Sequence, residues 1–130
     1  MNYLLDTHVF LWLLGDPDRI AEEALRDLAN TDNRLVVSAV SAWEVATKVR
    51  LGKLESARNL ASTWSARVRD IGGEDLAITP AHALLAGSIL WRHRDPFDRL
   101  LVAQALADNL TLVSNDGAMN DVVGLSVRTC

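Results

Sequence analysis

Residues 93–106, HRDPFDRLLVAQAL, run within four residues into LTLVS at 110–114, so an apolar helix delivers the chain directly into a short β-rich stretch. Asp95 reads as the N-cap, its carboxylate accepting from free backbone N–H groups, and Pro96 takes the first helical position, where no N–H is missed. Asp98 then falls at the third helical position, where the helix dipole favours a negative charge but the cap is already supplied. Taken alone it decorates a helix end; with the cap filled, it is also free for other work.

Upstream, the same alternation repeats. Tyr3 to Leu5 reads as a buried strand ending at Asp6, and Thr7 to Leu14 as a helix broken by Gly15, Asp16 and Pro17. A helix carries AEEALRDLA (21–29), RLVVS (34–38) is the second strand, and WEVATKVRL (43–51) is a helix stopped by Gly52. Glu55 to Asp70 is expected as one helix ahead of Gly72 and Gly73. LAIT (76–79) is expected as the third strand, Pro80 as the opening of the helix AHALLAGSILW, and LSVR (125–128) as the last strand. Short strands separated by helices require parallel pairing through right-handed crossovers, so the class is α/β, a parallel sheet between helical layers.

At 130 residues and 49% hydrophobic composition, the chain is one domain over residues 1–130, able to bury a core without disulfides. Its longest mostly apolar run, YLLDTHVFLWLL, is interrupted by Asp6 and His8 and is too short to span a bilayer, so no membrane association is expected. The single cysteine, Cys130, rules out an intrachain disulfide and fits a reducing, cytoplasmic setting. A formal net charge of −4 argues against coating nucleic acid through bulk positive charge. It leaves room for a nucleic-acid enzyme whose carboxylates gather on metal. Basic residues cluster at Lys48, Arg50 and Lys53 and at Arg92, His93, Arg94 and Arg99, although each group also suits a solvated helix face.

Ligands of such sheets bind beyond the carboxyl ends of the strands. Acids recur there: Asp6 ends the first strand, Asp116 follows LTLVS, Glu44 lies in the helix after RLVVS, and Asp98 opens the helix before LTLVS. Glu44 has two readings. With Ser41 as cap it completes an S-x-x-E capping box; with Ser38 as cap it lies deeper in the helix and points elsewhere. Asp116, before Gly117, also suits a turn. Asp6 is harder to explain away, because a carboxylate ending a buried strand is costly unless it is hydrogen-bonded or faces a cation. Paired carboxylates about 4 Å apart repel by about 4 kcal/mol at an effective dielectric of about 20, which a cation relieves. Oxygen ligands select hard ions, Mg²⁺ or Mn²⁺, which acidify bound water and stabilise a leaving oxygen; phosphodiester hydrolysis is the leading reaction.

LLDTHVFLWLL, SAWEVATKVRLGKL, HRDPFDRLLVAQAL and LVSND, in this order and spacing, resemble the PIN-domain ribonucleases, and among them the VapC-type toxins of bacterial toxin-antitoxin pairs. The likeness runs from Asn2 to about Val127. It implies that Asp6, Glu44, Asp98 and Asp116 form an acidic quartet around one or two Mg²⁺ or Mn²⁺ ions, with endonucleolytic cleavage of RNA as the reaction. It also implies a sheet of order 3-2-1-4-5, a homodimer, and a small cognate antitoxin that blocks the site. Thr7 and Ser114 fall where the family often has small hydroxyl residues, and Asp95 belongs to the DPFD signature but is assigned mainly to capping. The family often shows T-x-D followed by an aromatic, whereas Ser114, Asp116 and Met119 stand here, so the match is weakest at Asp116.

Other classes fit less well. A phosphorelay receiver needs an acidic pair at the first strand and a late lysine, but Thr7 and His8 follow Asp6 and no lysine occurs after Lys53. An aspartyl-nucleophile phosphatase has a second aspartate where His8 stands. An inert scaffold would not need the four acids. The three histidines lack metal-ligand spacing, and the four tryptophans suit core or interface anchoring. Arg99, beside Asp98, suits either orienting a phosphate or holding an acid.

Overall fold

The computed structural model describes residues 1–130. Five parallel strands form one sheet: β1 (Asn2–Leu5), β2 (Arg34–Ser38), β3 (Gly73–Leu76), β4 (Thr111–Ser114) and β5 (Val127–Thr129), in spatial order 3-2-1-4-5, the order the resemblance implied. The helices are α1 (Thr7–Gly15), α2 (Glu22–Ala29), α3 (Ala39–Arg50), α4 (Trp64–Asp70), α5 (Pro80–Ser88) and α6 (Pro96–Ala107). None is long and apolar enough to cross a membrane.

Strand periodicity divides the core between the two faces of the sheet. Tyr3, Leu5, Leu35, Val37 and Val113 face one layer, against Val9 and Phe10 of α1, Ala24 and Leu28 of α2 and Val68 of α4. Leu4, Val36 and Leu112 face the other, against Leu100 to Ala103 and Ala105 of α6, with Ala86 of α5. Trp64 meets Phe10 edge-on at 5.0 Å, one of the anchoring contacts expected of the tryptophans.

Three expected elements move. The third strand is Gly73–Leu76, not LAIT: an edge strand needs no apolar run, Glu74 and Asp75 lie in solvent, and Glu74 pairs with Arg34 of β2 at 2.7 Å. Thr79 instead caps α5, its hydroxyl accepting from the His82 N–H while His82 Nδ1 accepts from the Thr79 N–H. The expected helix from Glu55 to Asp70 breaks into two 3₁₀ turns followed by α4. There the Ser62 and Thr63 hydroxyls donate to the Asn59 carbonyl, the local bonding that competes with a continuous helix. Finally, α5 stops at Ser88 rather than Trp91: Ile89 leaves the helical region, and the Arg99 guanidinium satisfies the Ala86 carbonyl that the helix end leaves free.

A buried polar bridge fixes how α3 and α6 meet. Ser38 caps α3, its Oγ accepting from the Val40 N–H, and the same hydroxyl donates to Gln104 Oε1 at 2.5 Å. Gln104 is fully buried and its Nε2 donates to the Ala77 carbonyl. With Ser38 as cap, the capping-box reading of Glu44 falls away and Glu44 sits in the middle of α3.

Candidate metal centre

Strand order reverses between β1 and β4, and the chain leaves both at the same edge. The Asp6 N–H continues the ladder by donating to the Val113 carbonyl at 3.0 Å, so Asp6 is fixed where β1 ends. It occupies the N-cap position of α1, yet its side chain makes no capping bond. The carboxylate turns instead to Ser114, whose Oγ donates to Oδ2 at 2.7 Å, and it is 6% exposed. Burial raises its pKa above the ordinary carboxylate value; the Ser114 bond and the nearby His8 oppose that rise and the Glu44 charge adds to it.

Glu44 is also buried. Its Oε2 accepts from Lys48 Nζ at 2.5 Å, one helical turn on, and its Oε1 is buried with no hydrogen-bond partner at all. Beside it, the Ser41 and Thr7 hydroxyls pair at 2.9 Å and join α3 to α1.

Asp95 caps α6 as expected, Oδ1 accepting from the N–H of Phe97 at 2.8 Å and of Asp98 at 3.4 Å. Asp98 is thereby released from capping, and its Oδ2 lies 2.6 Å from His93 Nε2. Burial pushes the Asp98 pKa up to about 6; the His93 bond pulls it down, while the charges of Asp95 and Asp6 push it further up. Asp116 fulfils its turn reading, Oδ1 accepting from the Ala118 N–H at 3.0 Å to cap a 3₁₀ turn. Its own N–H donates to Ser114 Oγ, so that one hydroxyl ties Asp6 to the Asp116 backbone.

All four acids line one cleft of about 350 Å³, together with Asp95, Lys48, His8 and Asn115. At its border, ligand atoms of His93, Asp98 and Asp116 lie within 4.8 Å of one another. That tight group differs from the expected quartet: it contains a histidine, and Asp6 and Glu44 are not members although they share the cleft. Three sequence readings change here. Lys48, read only as part of a basic cluster, reaches the site, and its i+4 spacing from Glu44 was the available signal. His93 joins it from a non-helical connection, where no periodicity marks it. Arg99 does neither of the things expected of it: its bonds go to main-chain carbonyls, not to an acid. His8 is exposed and lines the cleft.

This donor set fits a hard divalent cation. It is rich in carboxylate oxygen, burial and the charges of neighbouring acids disfavour the ionisation of Asp6 and Asp98 until a cation balances them, and the orphaned Glu44 Oε1 lacks only an electropositive partner.

A family model described as PIN domain matches residues 3–125. Ribonuclease VapC22 of Mycobacterium tuberculosis (strain ATCC 25618 / H37Rv) is 31% identical over 118 residues, 87% of this chain and 85% of that protein. Among solved structures, VapBC2 from Rickettsia felis bound to a DNA fragment from its promoter superposes with a TM-score of 0.71 at 17% identity, covering 99% of this chain and 98% of that one. DNA-bound VapBC from Salmonella typhimurium gives 0.70 at 19% identity, with the same coverage; at such identities these likenesses speak for the fold. With the model spanning nearly the whole sequence and a relative above 30% identity along most of it, the chain belongs to the PIN domain family, in its VapC-type branch.

Proposed function

We propose that the protein is a Mg²⁺- or Mn²⁺-dependent endoribonuclease, the toxin of a toxin-antitoxin pair, hydrolysing an RNA phosphodiester under the restraint of a cognate antitoxin. The observation that carries the reading is the convergence of Asp6, Glu44, Asp98 and Asp116 on one cleft beside a buried carboxylate oxygen without a partner. A relative named as a ribonuclease supports the activity.

In this reading those four residues hold the ion, which when bound supplies Lewis acidity toward water and charge neutralisation for a phosphodiester. Ser114 fixes the rotamer of Asp6. Lys48 keeps Glu44 oriented and brings an ammonium to the cleft, where it meets the phosphate of the substrate and offsets part of the acidic field that would repel RNA. Purified protein incubated with total RNA is expected to cut it in millimolar Mg²⁺ or Mn²⁺ and to stop in excess EDTA. Cutting that EDTA leaves untouched, or none with either ion, would overturn the reading.

The antitoxin rests on the neighbours solved as VapBC complexes. Inducing this chain alone should arrest growth, and co-expressing the short protein encoded beside it should relieve the arrest; arrest persisting although the two co-purify would contradict that part. The homodimer belongs to the same proposal and is supported by large apolar side chains standing in solvent, Leu90 and Val123 among them.

A further inference from the structure

Arg99 follows Asp98 on α6, is half-buried, and makes no ion pair. Its Nε donates to the carbonyl of Ala86 at 2.9 Å, Nη2 to that of Ile89 at 2.7 Å, and Nη1 to those of Trp91 and His93 at 2.8 and 3.0 Å. All four acceptors lie in the last turn of α5 or in the irregular connection between Ser88 and Pro96. That stretch has little bonding of its own: the Ile89 N–H reaches Leu85 and the Trp91 N–H reaches Ile89. A guanidinium presents five donors in a rigid fork, and lysine cannot reproduce four such bonds.

The connection carries His93, whose carbonyl Arg99 holds and whose ring stacks on Trp91 at 4.7 Å and 28°. The ring then presents Nε2 to Asp98 Oδ2 at 2.6 Å. So short a contact between nitrogen and carboxylate oxygen needs a proton between them. That nitrogen is therefore engaged with Asp98 and is not free to bind a cation.

We propose that Arg99 and His93 are positioning residues acting in series: Arg99 fixes the connection, the connection fixes His93, and His93 holds the Asp98 carboxylate in the orientation that binds the divalent cation. This rests on the metal-binding reading above. A carboxylate held by one donor loses the torsional freedom it would otherwise give up on binding, and such outer partners tune affinity by about 10- to 100-fold.

Mn²⁺ binding, read from the loss of the free-ion electron paramagnetic resonance signal, tests the series without reference to turnover. His93→Ala is expected to weaken Mn²⁺ about 10- to 100-fold. His93→Gln, whose amide nitrogen can replace Nε2 as donor, should stay within about threefold of wild type. Arg99→Lys should weaken binding on its own and add nothing in a His93→Ala background, as expected of two residues acting through one contact. Wild-type affinity in His93→Ala would overturn the inference, as would His93→Gln as weak as His93→Ala, since the ring would then be a ligand. Independent, additive losses from Arg99 and His93 would sever the series. Absence of Mn²⁺ binding by the wild type would bring down the metal site itself, an outcome distinct from these.

Discussion

Asp98→Asn is expected to cut RNA cleavage by about 10³-fold or more while making the metal-free protein more stable at neutral pH. The two effects come from the same atoms. On the proposed metal-dependent reading, the loss follows from removing one of the anionic oxygens that would hold the ion; about 10³-fold corresponds to roughly 4 kcal/mol of transition-state stabilisation. The gain follows from the pKa of Asp98, about 6 in the folded protein against 3.8 for an ordinary aspartate. Below about pH 4 the carboxyl is protonated in both states and stability is unaffected. Between those values the folded protein keeps a proton that the unfolded chain has released, so stability falls as pH rises through about 6. Two units correspond to at most about 3 kcal/mol, and asparagine, which does not ionise, recovers it. His93 keeps an acceptor in the amide oxygen, so the substitution orphans no buried donor. Urea denaturation in EDTA should show Asp98→Asn ahead of wild type at pH 7 and level with it near pH 4. A variant that cleaves at the wild-type rate would remove Asp98 from the site. Equal stability at pH 7 would mean that its charge is not under strain.

What the sequence disclosed and what it hid divide along a physical line. The continuous apolar runs Tyr3–Leu5, Leu35–Val37 and Leu112–Val113 are legible because both faces of these strands are buried. The edge strand Gly73–Leu76 is illegible for the converse reason: one neighbour and open solvent leave GEDL free to be polar, while LAIT, which overlaps it at Leu76, carries the stronger apolar signal. Caps made within three residues, at Asp95 and Asp116, could be anticipated because they depend on local spacing. Bonds across the fold could not be. Ser114 to Asp6 spans 108 positions and Ser38 to Gln104 spans 66. The four acids were found as residues that follow strand ends or open helices. Their supporting cast, Lys48, His93 and the Arg99 clamp, depends on where an irregular connection and the turns of two helices meet.

The second large effect is expected from the cation itself. At pH 7 in EDTA, the wild type carries Asp6 and Asp98 close to each other in one cleft, both with pKa values raised first of all by burial. Their ionisation there opposes folding. Mn²⁺ at about 100 times its dissociation constant should return about 2.7 kcal/mol, because it binds the folded state and finds no preformed site in the unfolded one. The gain must itself depend on pH. Ligand carboxyls have to lose their protons before they can hold an ion, so near pH 4, where Asp98 is protonated in the folded protein, Mn²⁺ should add little. Metal-free stability therefore falls between pH 4 and pH 7 on account of these two groups, and metal-bound stability falls less or rises over the same interval. Asp6→Asn should shrink the gain at pH 7, since one ligand is lost while Ser114 can still donate to the amide oxygen. Unfolding free energies from urea titration, taken at both pH values with EDTA and with Mn²⁺, measure all of this. A stabilisation of the same size at pH 4 and pH 7, or one unchanged in Asp6→Asn, would place the cation somewhere other than this cleft.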